Sequence, residues 1–67
     1  MQVIVTVKER YREARQFVWH DLSGEYVIQL PEYSDTDTAT IEAIQVCRES
    51  LAIENDELFE LTGRIAA

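Results

Sequence analysis

The sequence has little of the residues that small domains use for cross-links and sharp turns: one cysteine, one proline and two glycines in 67 residues. Cys47 has no second cysteine to pair with, so a disulfide within the chain is excluded and a reducing, cytoplasmic location is expected. The two glycines, Gly24 and Gly63, lie far apart. That spacing excludes the glycine-rich loops that bind nucleotide phosphates.

Long hydrophobic runs are also lacking. Unbroken apolar stretches such as Val3–Val5 stay far below the roughly 20 residues that cross a bilayer. The first residues show no charged segment followed by an apolar one, so no targeting signal is indicated. We therefore expect a soluble chain, complete as given, that folds as a single domain over residues 1–67 without membrane contact. Disorder is not expected, because 46% of the residues are hydrophobic and six are aromatic.

Charge of one sign dominates what is present. The net charge is −7, and it is uneven: residues 1–20 carry +2, whereas residues 21–67 carry −9. A surface this acidic repels phosphate backbones, so general binding to nucleic acids or anionic membranes is disfavoured. The basic segment 8–15 is the local exception.

Four segments alternate between apolar and polar residues, which is the period of a half-buried β-strand. The first is 2–8, with Val3, Val5 and Val7 on one face. The other three are centred on Phe17 and Trp19, on Tyr26, Ile28 and Leu30, and on Phe59, Leu61 and Ile65. The short connection 22–24 ends in glycine, which favours a hairpin between the second and third segments.

One helix is predicted over residues 37–52. Asp35 and Asp37 can cap its first turn, and acidic residues suit the positive end of the helix dipole. The apolar residues that recur at helical spacing, and that are therefore expected to be buried, are Ile41, Ile44, Cys47 and Leu51. A helix of this length spans roughly 24 Å, which matches a seven-residue strand.

Residues 8–22 are open to two interpretations. A possible capping box at 6–9 and a helical stripe favour a helix; the stripe consists of Tyr11, Ala14, Val18 and Leu22. The β-prone segment 17–19 favours a strand, although residues 10–14 contain no residue that favours a turn. Because every candidate strand has one polar face, we favour a small antiparallel sheet with one covering helix, an α+β fold of order β-β-β-α-β. The alternative is a two-layer β-α-β-α-β fold.

Residues with catalytic or metal-binding chemistry are few. His20 precedes Asp21, but neighbours on a strand point to opposite faces, which is unsuitable for a catalytic pair. Cys47 lies on the apolar stripe of the helix, where a small buried side chain is the usual role. One histidine and one cysteine do not make a structural zinc site, and residues 35–46 lack the ligands of a calcium loop. We therefore expect no catalytic residues, no metal and no cofactor.

Two charged groups are candidate binding surfaces. The acidic group surrounds the helix and the start of the last strand, and consists of Glu32, Asp35, Asp37, Glu54, Asp56, Glu57 and Glu60. Clustered carboxylates of this kind would attract a basic partner, as a mimic of a nucleic-acid phosphate track does. The basic and aromatic group is suited to stacking on bases and binding phosphate, and consists of Arg10, Tyr11, Arg12, Arg15 and Trp19.

A third candidate surface is apolar. If residues 17–19 form a strand, then Ile4, Val18 and Val27 all point away from the helix, one from each of three strands. An uncovered apolar patch suits a protein partner or a second copy of the chain, with Tyr33 as a further exposed anchor.

The preferred function is a small, acidic, non-enzymatic protein-binding module, an inhibitor or adaptor that docks on a larger basic protein. In size, acidity and scarcity of cysteine, the chain resembles the small phage-encoded proteins that block bacterial defence machinery by binding to it. That resemblance covers no motif and implies a target that handles nucleic acid. The alternative is a small homo-oligomer that binds a nucleotide or RNA through residues 8–19. An enzyme that uses His20 or a pair of carboxylates is the third and least favoured hypothesis.

Overall fold

In the part of the chain that the structure describes, three strands and two helices follow one another. The computed structural model describes residues 1–17, 21–32 and 35–66, apart from the side chains of Arg15 and Phe17. The elements are β1 (Gln2–Glu9), α1 (Ala14–Phe17), β2 (Gly24–Gln29), α2 (Thr36–Ser50) and β3 (Phe59–Ile65). No helix within these ranges has the length and hydropathy needed to cross a membrane.

The strands form one antiparallel sheet of order β2-β1-β3, with β1 in the centre. In this register Ile4 lies opposite Val27 of β2 and Arg64 of β3. The alternation predicted for β1 is confirmed, because Val3, Val5 and Val7 are fully buried while their neighbours are not. This central strand is therefore the base of the hydrophobic core.

One face of the sheet is covered by α2, and the other, which we call the open face, is not. The covered face holds the buried valines of β1 together with Phe59 and Leu61 of β3. The open face carries the alternate residues, which on β1 are Gln2, Ile4, Thr6 and Lys8. The molecule thus has one helix layer and one sheet layer, with overall extents of 39 × 17 × 16 Å.

Small residues bring α2 close to the sheet. Its buried residues are Ala39, Ala43 and Cys47, each four positions after the last, so they form one stripe along the helix. The helix passes so near β3 that a Cβ atom on Gly63 would lie 2.7 Å from Thr40 Cγ2. Glycine is required at position 63 because any side chain there would collide with the helix.

Both ends of α2 are capped. Asp35 is the N-cap, and its Oδ1 accepts a hydrogen bond from the backbone N–H of Asp37 (3.0 Å). At the other end the N–H groups of Ala52 and Ile53 donate to the carbonyls of Glu49 (3.2 Å) and Arg48 (2.9 Å). This paired pattern is the Schellman motif, and it places Ala52 in the left-handed region with φ of 56°.

The predicted class, an antiparallel sheet covered on one face by a helix, is confirmed. Within the described residues the chain has one strand fewer than the predicted order β-β-β-α-β, and the short helix α1 lies between β1 and β2. A strand was expected around Phe17 and Trp19. At Phe17 this prediction is wrong, because Phe17 is the last residue of the helical turn α1. Trp19 lies outside the described residues. The segment before it offers no turn-forming residue, so the chain leaves β1 through a helical turn instead of a hairpin. β2 pairs with β1.

The predicted buried stripe of α2 is partly wrong. Cys47 is buried and Ile44 is half-buried, but Ile41 is 69% exposed. The side of α2 that faces the sheet carries the alanines, because a helix with small residues on one side can approach a sheet more closely and bury more surface. Ile41 is therefore left on the solvent side of α2.

Candidate functional site

The net charge of the protein lies on one part of the fold. Residues 32–57, which contain α2 and its flanking loops, hold eight acidic residues against Arg48 alone, a net charge of −7. The remaining residues hold five acidic and five basic side chains, a net charge of zero. All eight carboxylates are solvent-exposed. We call residues 32–57 the acidic helix layer.

One end of the acidic helix layer surrounds the start of α2, where Glu32, Asp35 and Asp37 are exposed. Asp35 accepts hydrogen bonds from Thr38 Oγ1 (2.8 Å) and from the backbone N–H of Asp37 (3.0 Å). These bonds favour the charged carboxylate, first the one from Thr38, and they lower the pKa of Asp35 from its ordinary value. The carboxylate is thus held in place at the N-terminus of the helix.

The other end lies in the loop after α2, where Glu54, Asp56 and Glu57 are exposed. Asn55 Oδ1 accepts a hydrogen bond from the N–H of Glu57 (3.0 Å), which fixes the loop as an Asx turn. Arg48 Nε lies 2.9 Å from Asp56 Oδ1 and joins the loop to the last turn of the helix.

The predicted acidic residues therefore form two groups and not one cluster. The 15 residues of α2 separate the groups by about 22 Å at 1.5 Å per residue. Glu42 and Glu49 lie between them on the helix, seven residues and nearly two turns apart, so they share one exposed side. Glu60, the seventh predicted residue, lies apart on the open face of the sheet, opposite Lys8 of β1.

Ile41 is the residue of this surface that sequence reasoning missed. Its helical spacing with Ile44 and Cys47 predicts that its side chain is buried. In the structure it stands exposed on the same helix as the acidic residues Asp37, one turn before it, and Glu42, next to it. The regular spacing of Ala39, Ala43 and Cys47 was the signal that could have revealed it.

The predicted apolar surface is present in part. Ile4 is half-buried and lies directly opposite Val27, which is 62% exposed, on the open face. Val18 and Tyr33, the other two members, lie outside the described residues. Polar groups share this face, because Arg64 Nη2 lies 3.5 Å from Glu25 Oε2 and the pair reaches across the central strand. The open face is thus mixed rather than apolar.

The basic and aromatic group is divided between described and undescribed residues. Arg10, Tyr11 and Arg12 are exposed in the turn that follows β1, and Tyr11 is 56% exposed. The backbone N–H of Arg10 donates to the carbonyl of Leu58 (2.8 Å), which fixes the start of this turn beside β3. The side chain of Arg15 and the whole of Trp19 lie outside the described part of the structure.

Residues with nucleophilic or metal-binding chemistry are not gathered at one place in the described ranges. Burial raises the pKa of the Cys47 thiol, so this buried sulfur is held in its protonated, unreactive form. His20 lies outside the described residues. Within residues 1–17, 21–32 and 35–66, no three histidine, cysteine or carboxylate side chains are placed to hold a metal ion.

No protein-family model, curated protein or solved structure matches the chain.

Proposed function

We propose that the protein is a non-enzymatic protein-binding module, and that its acidic helix layer docks on a basic surface of a larger protein. The observation that carries this proposal is the concentration of charge: a net charge of −7 lies on residues 32–57, and every carboxylate there is exposed. Binding of this kind makes the protein an inhibitor or an adaptor, because it occupies a surface of its target and adds no chemistry.

Electrostatic steering is the first contribution of the acidic helix layer. Complementary potentials raise association rates from about 10⁵–10⁶ M⁻¹s⁻¹ towards 10⁸ M⁻¹s⁻¹ or more at low salt. Arg48 is the single cation in this layer, and its pairing with Asp56 leaves the negative charge elsewhere uncompensated. The layer is therefore suited to attract a basic surface along the full length of α2.

Ile41 supplies the second contribution, an apolar contact. Binding energy at interfaces comes mainly from a few residues that become fully desolvated, surrounded by polar residues that exclude water. Ile41 is a large apolar side chain on the exposed side of α2, and Asp37, Glu42 and Gln45 lie around it. Burying it fully in a partner's pocket would contribute about 1.5–3 kcal/mol.

The target class that suits this surface is a protein that handles nucleic acid. Such proteins present basic surfaces to phosphates, and exposed carboxylates along α2 offer them a similar series of negative charges. The resemblance to phage proteins that block bacterial defences agrees with this target class.

The test is a capture experiment with charge-matched variants. The wild-type protein, immobilised, is exposed to extract of its native host, and the bound protein and nucleic acid are both identified. One variant removes two negative charges from the helix (Glu42→Gln with Glu49→Gln), and a second removes the anchor (Ile41→Ala). The control adds two positive charges to the open face (Gln2→Lys with Gln29→Lys), so that its net charge equals that of the first variant.

We expect one stoichiometric protein that binds the wild type and the control, and that both helix variants lose by tenfold or more. Equal loss in the control and in the Glu42→Gln, Glu49→Gln variant would show that net charge matters rather than its position, and would contradict docking through α2. Retention by both helix variants would also contradict the proposal.

The runner-up function is nucleotide or RNA binding by the basic turn. The observation in its favour is that Tyr11 is exposed with the exposed Arg10 and Arg12 on either side of it. Nucleic acid in the captured material, lost on replacing Arg10, Arg12 and Arg15 with alanine while the fold is kept, would favour this function over the first.

A further inference from the structure

β3 is an edge strand with free hydrogen-bonding groups. It has β1 on one side and, among the residues that the structure describes, no strand on the other. At its two ends the N–H of Arg10 donates to Leu58 O (2.8 Å) and the N–H of Ala66 donates to Gln2 O (2.9 Å). Residues bonded to one neighbour alternate with residues that face away from it. The backbone groups that point outward therefore belong to Phe59, Leu61, Gly63 and Ile65.

The outer edge of β3 lacks several of the devices that prevent strand pairing. Proteins protect such edges with proline, charged side chains (above all lysine), bulges, very short strands or a covering segment. β3 has seven residues, contains neither proline nor lysine, and pairs with β1 without interruption from residue 59 to residue 65. Its two charged side chains, Glu60 and Arg64, have opposite signs, so they do not by themselves repel a second copy of the strand. It is therefore open to a further strand.

The sequence of β3 is complementary to itself in the antiparallel direction. With Thr62 at the centre, a second copy places Glu60 opposite Arg64, and Arg64 opposite Glu60. In the same register Phe59 lies opposite Ile65, and Leu61 lies opposite Gly63. Opposite charges that face each other across two strands are favourable, and so is an aromatic side chain that faces a β-branched one, as Phe59 faces Ile65.

The register also pairs the outward-pointing N–H and C=O groups of the backbone. The facing pairs 59 with 65 and 61 with 63 join residues whose N–H and C=O groups all point outward, so each pair exchanges two hydrogen bonds. Glu60 and Arg64 then form pairs without backbone bonds between them, and in such pairs the side chains come closest. Both side chains are exposed, and among the described residues Arg64 contacts Glu25 at 3.5 Å.

We propose that two copies of this chain associate through β3, antiparallel and about a twofold axis at Thr62, to form a continuous six-stranded sheet. The occupant of the free edge is a second copy because the strand complements itself in charge, shape and hydrogen bonding in one register. Ile65, which is 36% exposed on the helix side of the sheet, then packs against Phe59 of the second copy.

β2, the other edge strand, does not offer the same match. It contains Glu25 and no cation in residues 24–29, so pairing with itself adds negative charge without a positive partner. Pro31 lies two residues after its end and limits extension of the ladder. The structure thus favours β3 over β2 as the self-pairing edge.

The test is a charge exchange between two variants, with mass measured by analytical ultracentrifugation. The wild type is expected to sediment as a dimer with twice the monomer mass of 7.8 kDa. Glu60→Arg alone places two guanidinium groups opposite each other in each facing pair, and Arg64→Glu alone places two carboxylates there. Each variant is therefore expected to weaken dimerisation at least tenfold. When the two variants are mixed, each facing pair in a heterodimer joins a guanidinium group of one chain to a carboxylate of the other. A heterodimer is therefore expected to form in preference to either homodimer.

The matched control is Gln29→Arg on β2, which changes charge on the other edge and is expected to leave the dimer intact. Circular dichroism and thermal unfolding of each variant confirm that the monomer still folds. Amide hydrogen exchange locates the interface: the N–H groups of Leu61, Gly63 and Ile65 are expected to exchange slowly in the dimer and at least tenfold faster in the single variants. Those of Thr62 and Arg64 bond to β1, and are expected to stay protected in both.

Several results would overturn the proposal. They are a wild-type monomer at about 200 μM, a dimer in which the amides of Leu61, Gly63 and Ile65 exchange as fast as in the variants, and a mixture of the two variants that stays monomeric. Loss of the dimer in Gln29→Arg alone would assign the interface to β2 instead.

Discussion

Ala52 adopts a backbone conformation that is unfavourable for a residue with a Cβ atom. It has φ of 56° at the end of α2, where the left-handed conformation is required to complete the Schellman motif. For an L-residue this conformation costs roughly 1–2 kcal/mol, and glycine avoids most of that cost.

Replacing Ala52 with glycine is therefore expected to stabilise the protein by about 0.5–1 kcal/mol, because the relief of strain exceeds the greater freedom of glycine in the unfolded chain. Urea unfolding followed by circular dichroism measures the change. The control, Glu49→Gly, puts glycine at an exposed position inside the same helix and is expected to destabilise by about 1 kcal/mol. Destabilisation by both substitutions would contradict the left-handed assignment.

Asp35 makes stability depend on acid pH. Its pKa is lowered in the folded protein by the hydrogen bonds from Thr38 and from the backbone of Asp37. The stabilisation that it provides is thus complete above the pKa of the unfolded chain, about 4, and is lost as the pH falls through the lower pKa of the folded state.

Asp35→Asn keeps a capping oxygen but cannot ionise, so this variant separates the contribution of the capping hydrogen bond from that of the negative charge. We expect the wild type to have the higher melting temperature near pH 6, and the difference between the two proteins to shrink steadily below about pH 4. Thermal unfolding over this pH range is the measurement. A difference that is the same near pH 6 and near pH 3 would show that the charge of Asp35 contributes nothing.

At the scale of elements, the approach of α2 to β3 depends on Gly63. A methyl group at this position would lie 2.7 Å from Thr40 Cγ2. Thr40 cannot simply rotate, since its Oγ1 donates a hydrogen bond to the carbonyl of Thr36 (2.8 Å). The contact therefore resists relaxation.

Gly63→Ala is expected to destabilise the protein by about 1–2 kcal/mol through this overpacking. Thr40→Ser removes the colliding methyl group and keeps the hydroxyl, so the double variant is expected to recover most of the loss. Urea unfolding of the two single variants and the double variant gives the coupling free energy between the positions. Additive effects would mean that helix and strand do not touch here.

The elements that the sequence predicted best are those with strong alternation. Val3, Val5 and Val7 predicted β1 because side chains on successive residues of a strand point to opposite faces, and the predicted range 59–65 is β3. The N-cap role of Asp35 followed from the chemistry of a carboxylate before a helix. In each case a local rule decides the outcome.

The sequence predicted poorly where packing between elements decides. Which side of α2 faces the sheet depends on the close approach allowed by Ala39, Ala43 and Gly63, so Ile41 was misplaced and the candidate docking surface was incomplete. The path after β1 likewise depends on tertiary contacts, such as the bond from Arg10 to Leu58. The position of the acidic residues at both ends of the helix was predicted from the sequence, and the structure adds the separation of the two groups, which depends on the length of α2.

At the scale of the whole molecule, the distribution of charge separates the two layers. The acidic helix layer carries a net charge of −7, and the rest of the chain carries no net charge. A small domain of this size buries only about 60% of the surface of its unfolded chain. Self-repulsion among exposed carboxylates is thus a cost to a marginal fold, and a surface used in binding explains why that cost is tolerated.

The central claim is that the acidic helix layer steers the protein to a basic partner, and the association rate constant with the captured protein tests it most directly. Between about 50 mM and 500 mM salt we expect the rate to fall at least tenfold for the wild type, since the Debye length shortens from about 14 Å to 4 Å. Glu42→Gln with Glu49→Gln is expected to start lower and fall less. A rate that is equal at low and high salt, in wild type and variant alike, would contradict the claim.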